Sequence, residues 1–523
     1  MKSLDAIEPR VCVNDLPGDE GAVVIIDQPG QYFLRADIVG GVGQHGIRVT
    51  AQGDVSIDLN GFDLLGVPGS LHGIDMDFGT SVANTRLEVR CPDGTCRSRI
   101  SGWDTGVHTH GVVICVCTAL AVEDCGGNGL NHLHAEGVIH RDIATRNCLG
   151  HGTLVSPPSA PVRSNGVTNR FRACRAFSNG GSGWSIGARA DSYEIDFEDC
   201  YACGNIGDGV RIDEDGSNQT GAGGGGRVAL QGVTVRDSGA DGIHVSIPCA
   251  SPTVVSASSV ACISNVGDGM EIDAVGAAVP HFGATCTIQK SEFSSNAGNG
   301  VRSENPLHTE SSTYSENALY GISASGPDTG TCMVQCNVCH LAANGSGGAL
   351  CGPGRFMQAR SSVSDNGGPG VSVTDGCLLM SDCSVVNNAA EGVIVTDGTL
   401  NVVSSNFRRN SGCGIVCGGT GSIAVAEDAV CELNGGGVAN AGGADFDGCL
   451  SVTLRRCVFN DNTGFGVRCR SGVGPVRWMA PESISQRNSG NGMDLDDITG
   501  GLLDRCSTSG NGGVGILLGA SCT

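Results

Sequence analysis

Side chains suited to chemistry gather between Gly209 and Glu304. Four glycine-led segments there read GVRID, GIHVS, GMEID and GVRSE. Strict alternation puts every second residue on one strand face. Arg211 and Asp213, His244 and Ser246, Glu271 and Asp273, and Arg302 and Glu304 then point outward together. Carboxylates beside an imidazole are the groups for general acid–base work. The candidate catalytic residues are therefore Asp213, His244, Glu271, Asp273, Arg302 and Glu304. Arg211 and Arg302 have the fork geometry to hold a substrate carboxylate. Asp213, Glu271 and Asp273 repel one another unless they share a proton or bind a hard cation such as calcium. A solvated face of alternating charge accounts for the same residues without chemistry. His108 and His110, in GVHTHGV, also alternate on one face and read as solvated or core histidines.

These segments must be carried by a repeat. An Asn, three residues often including Gly, then Gly and an aliphatic recur as NGGSGW at Asn179, NIGDGV at Asn205, NGGPGV at Asn366, NAAEGV at Asn388 and NTGFGV at Asn462. Gly348, Gly370, Gly392 and Gly414 mark its tightest spacing. Leucine-rich repeats need several Leu per unit, and these units lack them. Each Gly opens a short alternating strand, so stacked units predict a parallel sheet rising about 4.8 Å per layer. The spacing predicts an all-β parallel solenoid of roughly nineteen coils from residue 46 to 523, with residues 1–45 as an N-terminal cap. The repeated Asn suits a tight turn with left-handed backbone and a ladder of side-chain hydrogen bonds. Five residues earlier stands Cys (174, 200, 339, 383, 457, 506) or Ser (291, 312, 361, 405, 483), read as an inward stack of small residues. That stack explains many of the 27 cysteines without disulfides. Steps between glycines lengthen after Gly183, and the extra residues, including DEDGSNQTGAGGGGR and SIPCASPTV, form inserted loops of the kind that carry function.

Composition fits thin layers. Gly is 84 of 523 residues and aromatics are 4%. A net charge of −23 argues against nucleic acid as a partner. No segment is long and apolar enough for a membrane span. The start, MKSLDAIEPRVCVND, has no apolar core of a secretory signal.

The stretches QPGQYFLRADIVGGVGQHGIRV and DVSIDLNGFDLLGVPGSLHGI, followed by the N-x-G-x-G-V coils, resemble bacterial right-handed parallel β-helix proteins of the pectin-lyase-like superfamily. The resemblance implies an extracellular or cell-surface protein and a glycan or polysaccharide partner. It implies no single activity. The expected function is a scaffold whose outward face binds carbohydrate. The alternative is a polysaccharide lyase or glycoside hydrolase using the 209–304 face. No cofactor is required, calcium being the one cation the face suggests.

Two segments resemble something else. LHAEGVIHRDIATRNCL, residues 133–149, is similar to a tyrosine-kinase catalytic loop with His140, Arg141, Asp142 and Asn147 in place. GPVRWMAPESI, residues 474–484, is similar to the kinase A-P-E segment at Ala480, Pro481 and Glu482. A kinase needs a nucleotide lobe and a metal-binding D-F-G between these motifs. Repeat coils fill the interval instead, and kinase activity is rejected.

Overall fold

A computed structural model describes residues 10–79, 83–91, 98–157, 167–189, 193–215, 226–248, 253–275, 285–325, 332–436, 441–470, 476–498, 500–519 and 522. The chain divides into two compact units. The first comprises residues 1–267, 274–277 and 282–284; the second comprises 268–273, 278–281 and 285–523.

Each unit is a parallel β-helix. One coil of the second unit runs through Thr399–Val403, Asn406–Arg408 and Ile415–Gly418. Each strand pairs in parallel with its counterpart one coil later, Ile423–Glu427, Val430–Glu432 and Ala444–Asp447. Among the described residues each of the three sheets has nine or ten strands in the first unit and nine to eleven in the second. No α-helix occurs among them. Residues 11–39, expected to cap the solenoid, contain strands of the same sheets: Val11–Cys12 pairs with Gly30–Phe33, and Ala22–Ile26 with His45–Val49.

Alternation fixes what lies inside. In Val393–Thr396 the two valines are fully buried, while Ile394 and Thr396 face outward. The recurrent glycine is required by space. A Cβ on Gly370 would lie 2.5 Å from the Gly392 carbonyl oxygen of the next coil.

The Asn ladder is present. In the second unit Asn344, Asn366, Asn388 and Asn410 each donate from backbone N–H and from Nδ2 to the Oδ1 of the next Asn. The left-handed backbone falls one residue earlier than the sequence suggested. Ala343, Asp365, Asn387 and Arg409 have φ of 56°, 58°, 58° and 55°. A second left-handed residue precedes each small inward residue: Val338, Arg360, Asp382 and Ser404, with φ of 55°, 50°, 52° and 48°. The pair brackets the three-residue strand of each coil, and turning the chain there leaves the Asn free to point inward. Cys and Ser share the inward position because both reach back across the bend: Cys383 Sγ to the Ser381 carbonyl at 3.2 Å, Ser361 Oγ to that of Ala359 at 2.8 Å. Among the described cysteine side chains there is no disulfide.

Candidate functional site

The glycine-led sheet carries the residues predicted from sequence. In the first unit, Arg211 stands beside His244 in one outward column and Asp213 beside Ser246 in the next. Arg211 Nε binds Asp213 Oδ2 at 2.6 Å, and its Nη1 lies 3.5 Å from Asp208 Oδ2. His244 Nδ1 is 3.5 Å from Asp241 Oδ2. Burial, reinforced by the charge of Asp241, holds the Asp208 carboxyl above its ordinary range despite the hydrogen bond it accepts from the Asp241 N–H. In the second unit Glu271 is the register partner of Arg302 and ion-pairs with it. Arg302 also lies 3.7 Å from Glu304, and Asp273 is half-buried on the strand of Glu271. Both arginines are thus engaged by carboxylates of their own face. Most of the inserted loops flanking these strands, residues 216–225 and 249–252, lie outside the described residues.

A denser arrangement occupies the same sheet of the first unit. The strands His45–Val49, His72–Asp77, Thr105–His110 and Leu130–Leu133 stack in parallel. Register sets Asp75 beside His108 and Asp77 beside His110. His108 Nδ1 is 2.8 Å from Asp75 Oδ1, and His110 Nδ1 is 3.0 Å from Asp77 Oδ1. His45 Nδ1 lies 3.6 Å from the other Asp75 oxygen. The His72 ring sits 5.0 Å from that of His45 and 4.5 Å from that of His108. Asp75 and His108 are 7% and 8% exposed, so their pair is shielded, whereas the Asp77 side chain is 47% exposed. Burial opposes ionisation of Asp75, but the hydrogen bond with His108 and the neighbouring imidazoles outweigh it and hold the carboxyl below its ordinary range. Burial and the adjacent His108 push His72 down to about 4, leaving it neutral near pH 7. His45 is lowered by burial against the pull of Asp75.

A carboxylate on Nδ1 fixes an imidazole's tautomer and orientation and leaves Nε2 to exchange protons. Two such pairs side by side form a proton-transfer face. The ligand atoms of His45, His72 and Asp75 also lie within 4.8 Å of one another, close enough to hold a metal ion. His108 and His110 were visible in the sequence as an alternating pair, and the structure adds the carboxylate that each faces. Asp75, Asp77, His45 and His72 were missed. The signal was the repeated HG of HGIRV and HGIDMD, which aligns His45 with His72 and places Asp75 two residues beyond Gly73.

The kinase-like residues take ordinary solenoid positions. His140 is an inward residue, 1% exposed. Asp142 and Asn147 are the two left-handed bends of their coil, with φ of 51° and 55°. Ile143 takes the small inward position of that coil and Cys148 the Asn position, its N–H donating to Asn179 Oδ1. Glu482 is likewise a bend residue, paired with Arg505 at 2.7 Å.

Residues 275–430 and 361–477 match the family model of the right-handed β-helix region. Among solved structures the chain is similar to the periplasmic alginate epimerase AlgG, with 10% identity and a TM-score of 0.26 over 73% of this chain and 77% of that one. It is also similar to the A-module of the Azotobacter vinelandii mannuronan C-5 epimerase AlgE4, with 10% identity and a TM-score of 0.20 over 98% and 88% of the two chains. No curated protein matches the sequence. No helix among the described residues is long and apolar enough to cross a membrane. The three parallel sheets and their coil-to-coil register show the fold, and the family match over residues 275–477 agrees with it: this chain is a right-handed parallel β-helix.

Proposed function

We propose that this β-helix acts on a polysaccharide by proton transfer at the His–Asp face of residues 45–110. The observation that carries the reading is the shielded His108–Asp75 pair, 2.8 Å apart, with His110–Asp77 in the adjacent column. Glycoside hydrolysis uses a pair of carboxyl groups as acid and base. Here each carboxylate is spent on orienting an imidazole, which favours abstraction of a carbon-bound proton over hydrolysis. His108 Nε2 would take the proton α to a uronate carboxylate. The electron pair left on carbon would expel the 4-linked sugar oxygen, and His110 would protonate that oxygen. A flat sheet face whose coils repeat about every 4.8 Å suits an extended polymer. The reading implies a compartment where glycan is met, extracellular or at a cell surface.

The test is incubation of the full chain with a panel of uronate polymers, including alginate and pectate, following the ultraviolet absorbance of unsaturated product. His108→Asn and Asp75→Asn should each lower the rate by about 10²–10⁴-fold, the usual worth of a general base, with the folded structure retained by circular dichroism. No turnover on any polymer, or unchanged rates in both variants, would overturn the reading. The calcium reading of Asp213, Glu271 and Asp273 requires breaking the Arg211–Asp213 and Glu271–Arg302 pairs. A calcium-dependent rise in melting temperature, lost in Asp273→Ala, would favour carbohydrate binding without catalysis.

A further inference from the structure

Directly behind the His–Asp face, inside the coils of the first unit, lies a second group that the proton-transfer reading does not use. Thr109, between outward His108 and His110, points inward, and its Oγ1 is 2.8 Å from His132 Nδ1. His132 Nε2 faces His140 Nε2 at 3.1 Å. Cys115 and Cys117 stand two apart on the strand Val112–Thr118, so both thiols enter the interior, 4.0 Å from each other. Cys117 is the register partner of His140 in the next coil. All four are sealed from solvent: Cys115, Cys117 and His132 are 0% exposed and His140 is 1% exposed. The ligand atoms of Cys115, Cys117 and His132 lie within 4.8 Å of one another.

We propose that Cys115, Cys117 and His132, whose ligand atoms are already gathered, form a closed Cys2His2 site for a Zn²⁺-class ion together with His140, which turns in from beside His132 as the fourth ligand. Zinc bonds of about 2.3 Å to sulfur and 2.0–2.1 Å to nitrogen set tetrahedral edges of about 3.8 Å between sulfurs and about 3.4 Å between nitrogens. The separations of 4.0 Å and 3.1 Å lie close to both. Charge favours this ion as well. Binding releases one proton from each thiol, and two thiolates neutralise the dication, so no net charge is left in an apolar interior. Thr109 holds Nδ1 of His132 and thereby turns Nε2 towards the ion, as an outer-shell partner does in metal sites. With four protein ligands and no open position, the ion would staple adjacent coils beneath the strand that presents His108 and His110, and would not react.

The experiment is metal analysis of the full chain purified with zinc and dialysed against a chelator, followed by cobalt exchange. We expect about one zinc per chain, and in the cobalt form a thiolate charge-transfer band with tetrahedral d–d bands. Both should vanish in Cys115→Ser/Cys117→Ser and persist in His45→Gln/His72→Gln, which removes the outward His45–His72–Asp75 group. Folded wild type without retained metal or a cobalt–thiolate band would overturn the proposal, as would a double serine variant that keeps them. Should the serine variant fail to fold, the wild-type cobalt spectrum decides, because none of the outward ligands is a thiolate. Neither readout depends on turnover at the His–Asp face.

Discussion

His72 shows how a single buried imidazole makes stability depend on pH. Its pKa falls from an ordinary 6.5 to about 4. Between those values the unfolded chain takes up a proton that the folded chain refuses, so stability is lost as pH falls from about 6.5 towards about 4 and is restored as pH rises. Burial lowers His45, His134, His140 and His151 in the same direction. The melting temperature should therefore decline on acidification below pH 6.5, and His72→Gln should flatten that decline by up to one proton's worth of slope; parallel curves from calorimetry would show that His72 titrates normally. At this scale the sequence disclosed two of the six residues, His108 and His110. The alternation of His108 and His110 can be read from one strand. Their carboxylates lie 33 residues earlier, and pairing across that gap depends on a coil whose length differs from its neighbours. The ladder at Arg211 and Arg302 was legible as a set of outward charges, but which charge neutralises which is settled by side-chain reach.

The element that repeats is a three-residue strand held between two left-handed bends, followed by a buried Asn. Val338 is a poor occupant of such a bend: it is β-branched, 46% exposed and at φ 55°. Left-handed backbone costs an L-residue roughly 1–2 kcal/mol, and Asn tolerates it. Val338→Asn should stabilise the chain by about 1 kcal/mol, measured as a higher denaturant midpoint at unchanged slope. The Asn column should be far less forgiving. Asn388 is fully buried, accepts from the N–H and Nδ2 of Asn366, and donates to Asn410 Oδ1 and the Val363 carbonyl. Asn388→Ala orphans those partners, each at about 1–3 kcal/mol, so a loss of at least about 3 kcal/mol is expected in the same assay. Strands, the inward Cys/Ser stack and the ladder were all readable, because each imposes a residue type at a fixed spacing. The bends were misplaced by one residue because they tolerate Asp, Arg, Ser and Ala alike. An exposed turn selects backbone geometry without selecting a side chain.

Over the whole molecule, the described cysteines form no disulfide with one another. Of 27 cysteines, 24 have described side chains, and among these Cys12, Cys203, Cys377, Cys506 and Cys522 are the ones not buried. Thiol titration should find at least 24 reactive groups in denatured protein, and in native protein the 19 buried ones of those 24 should stay unreactive. A native count near the denatured one would mean the interiors open readily to solvent. The net charge of −23, with 54 acidic residues against 31 basic ones, makes the surface repel phosphate backbones. The glycine and Asn columns have one further consequence. Where glycines recur at Gly370, Gly392 and Gly414, each coil offers its successor the same carbonyls, amides and empty space that it received from its predecessor. Excising residues 367–388 would set Ala389 directly after Asn366 and leave Gly392 beneath Gly348, with every column in register. Such a chain can lengthen or shorten through duplication or loss of DNA in whole-coil steps, inheriting a working junction each time, while an outward face elsewhere keeps its residues and its chemistry.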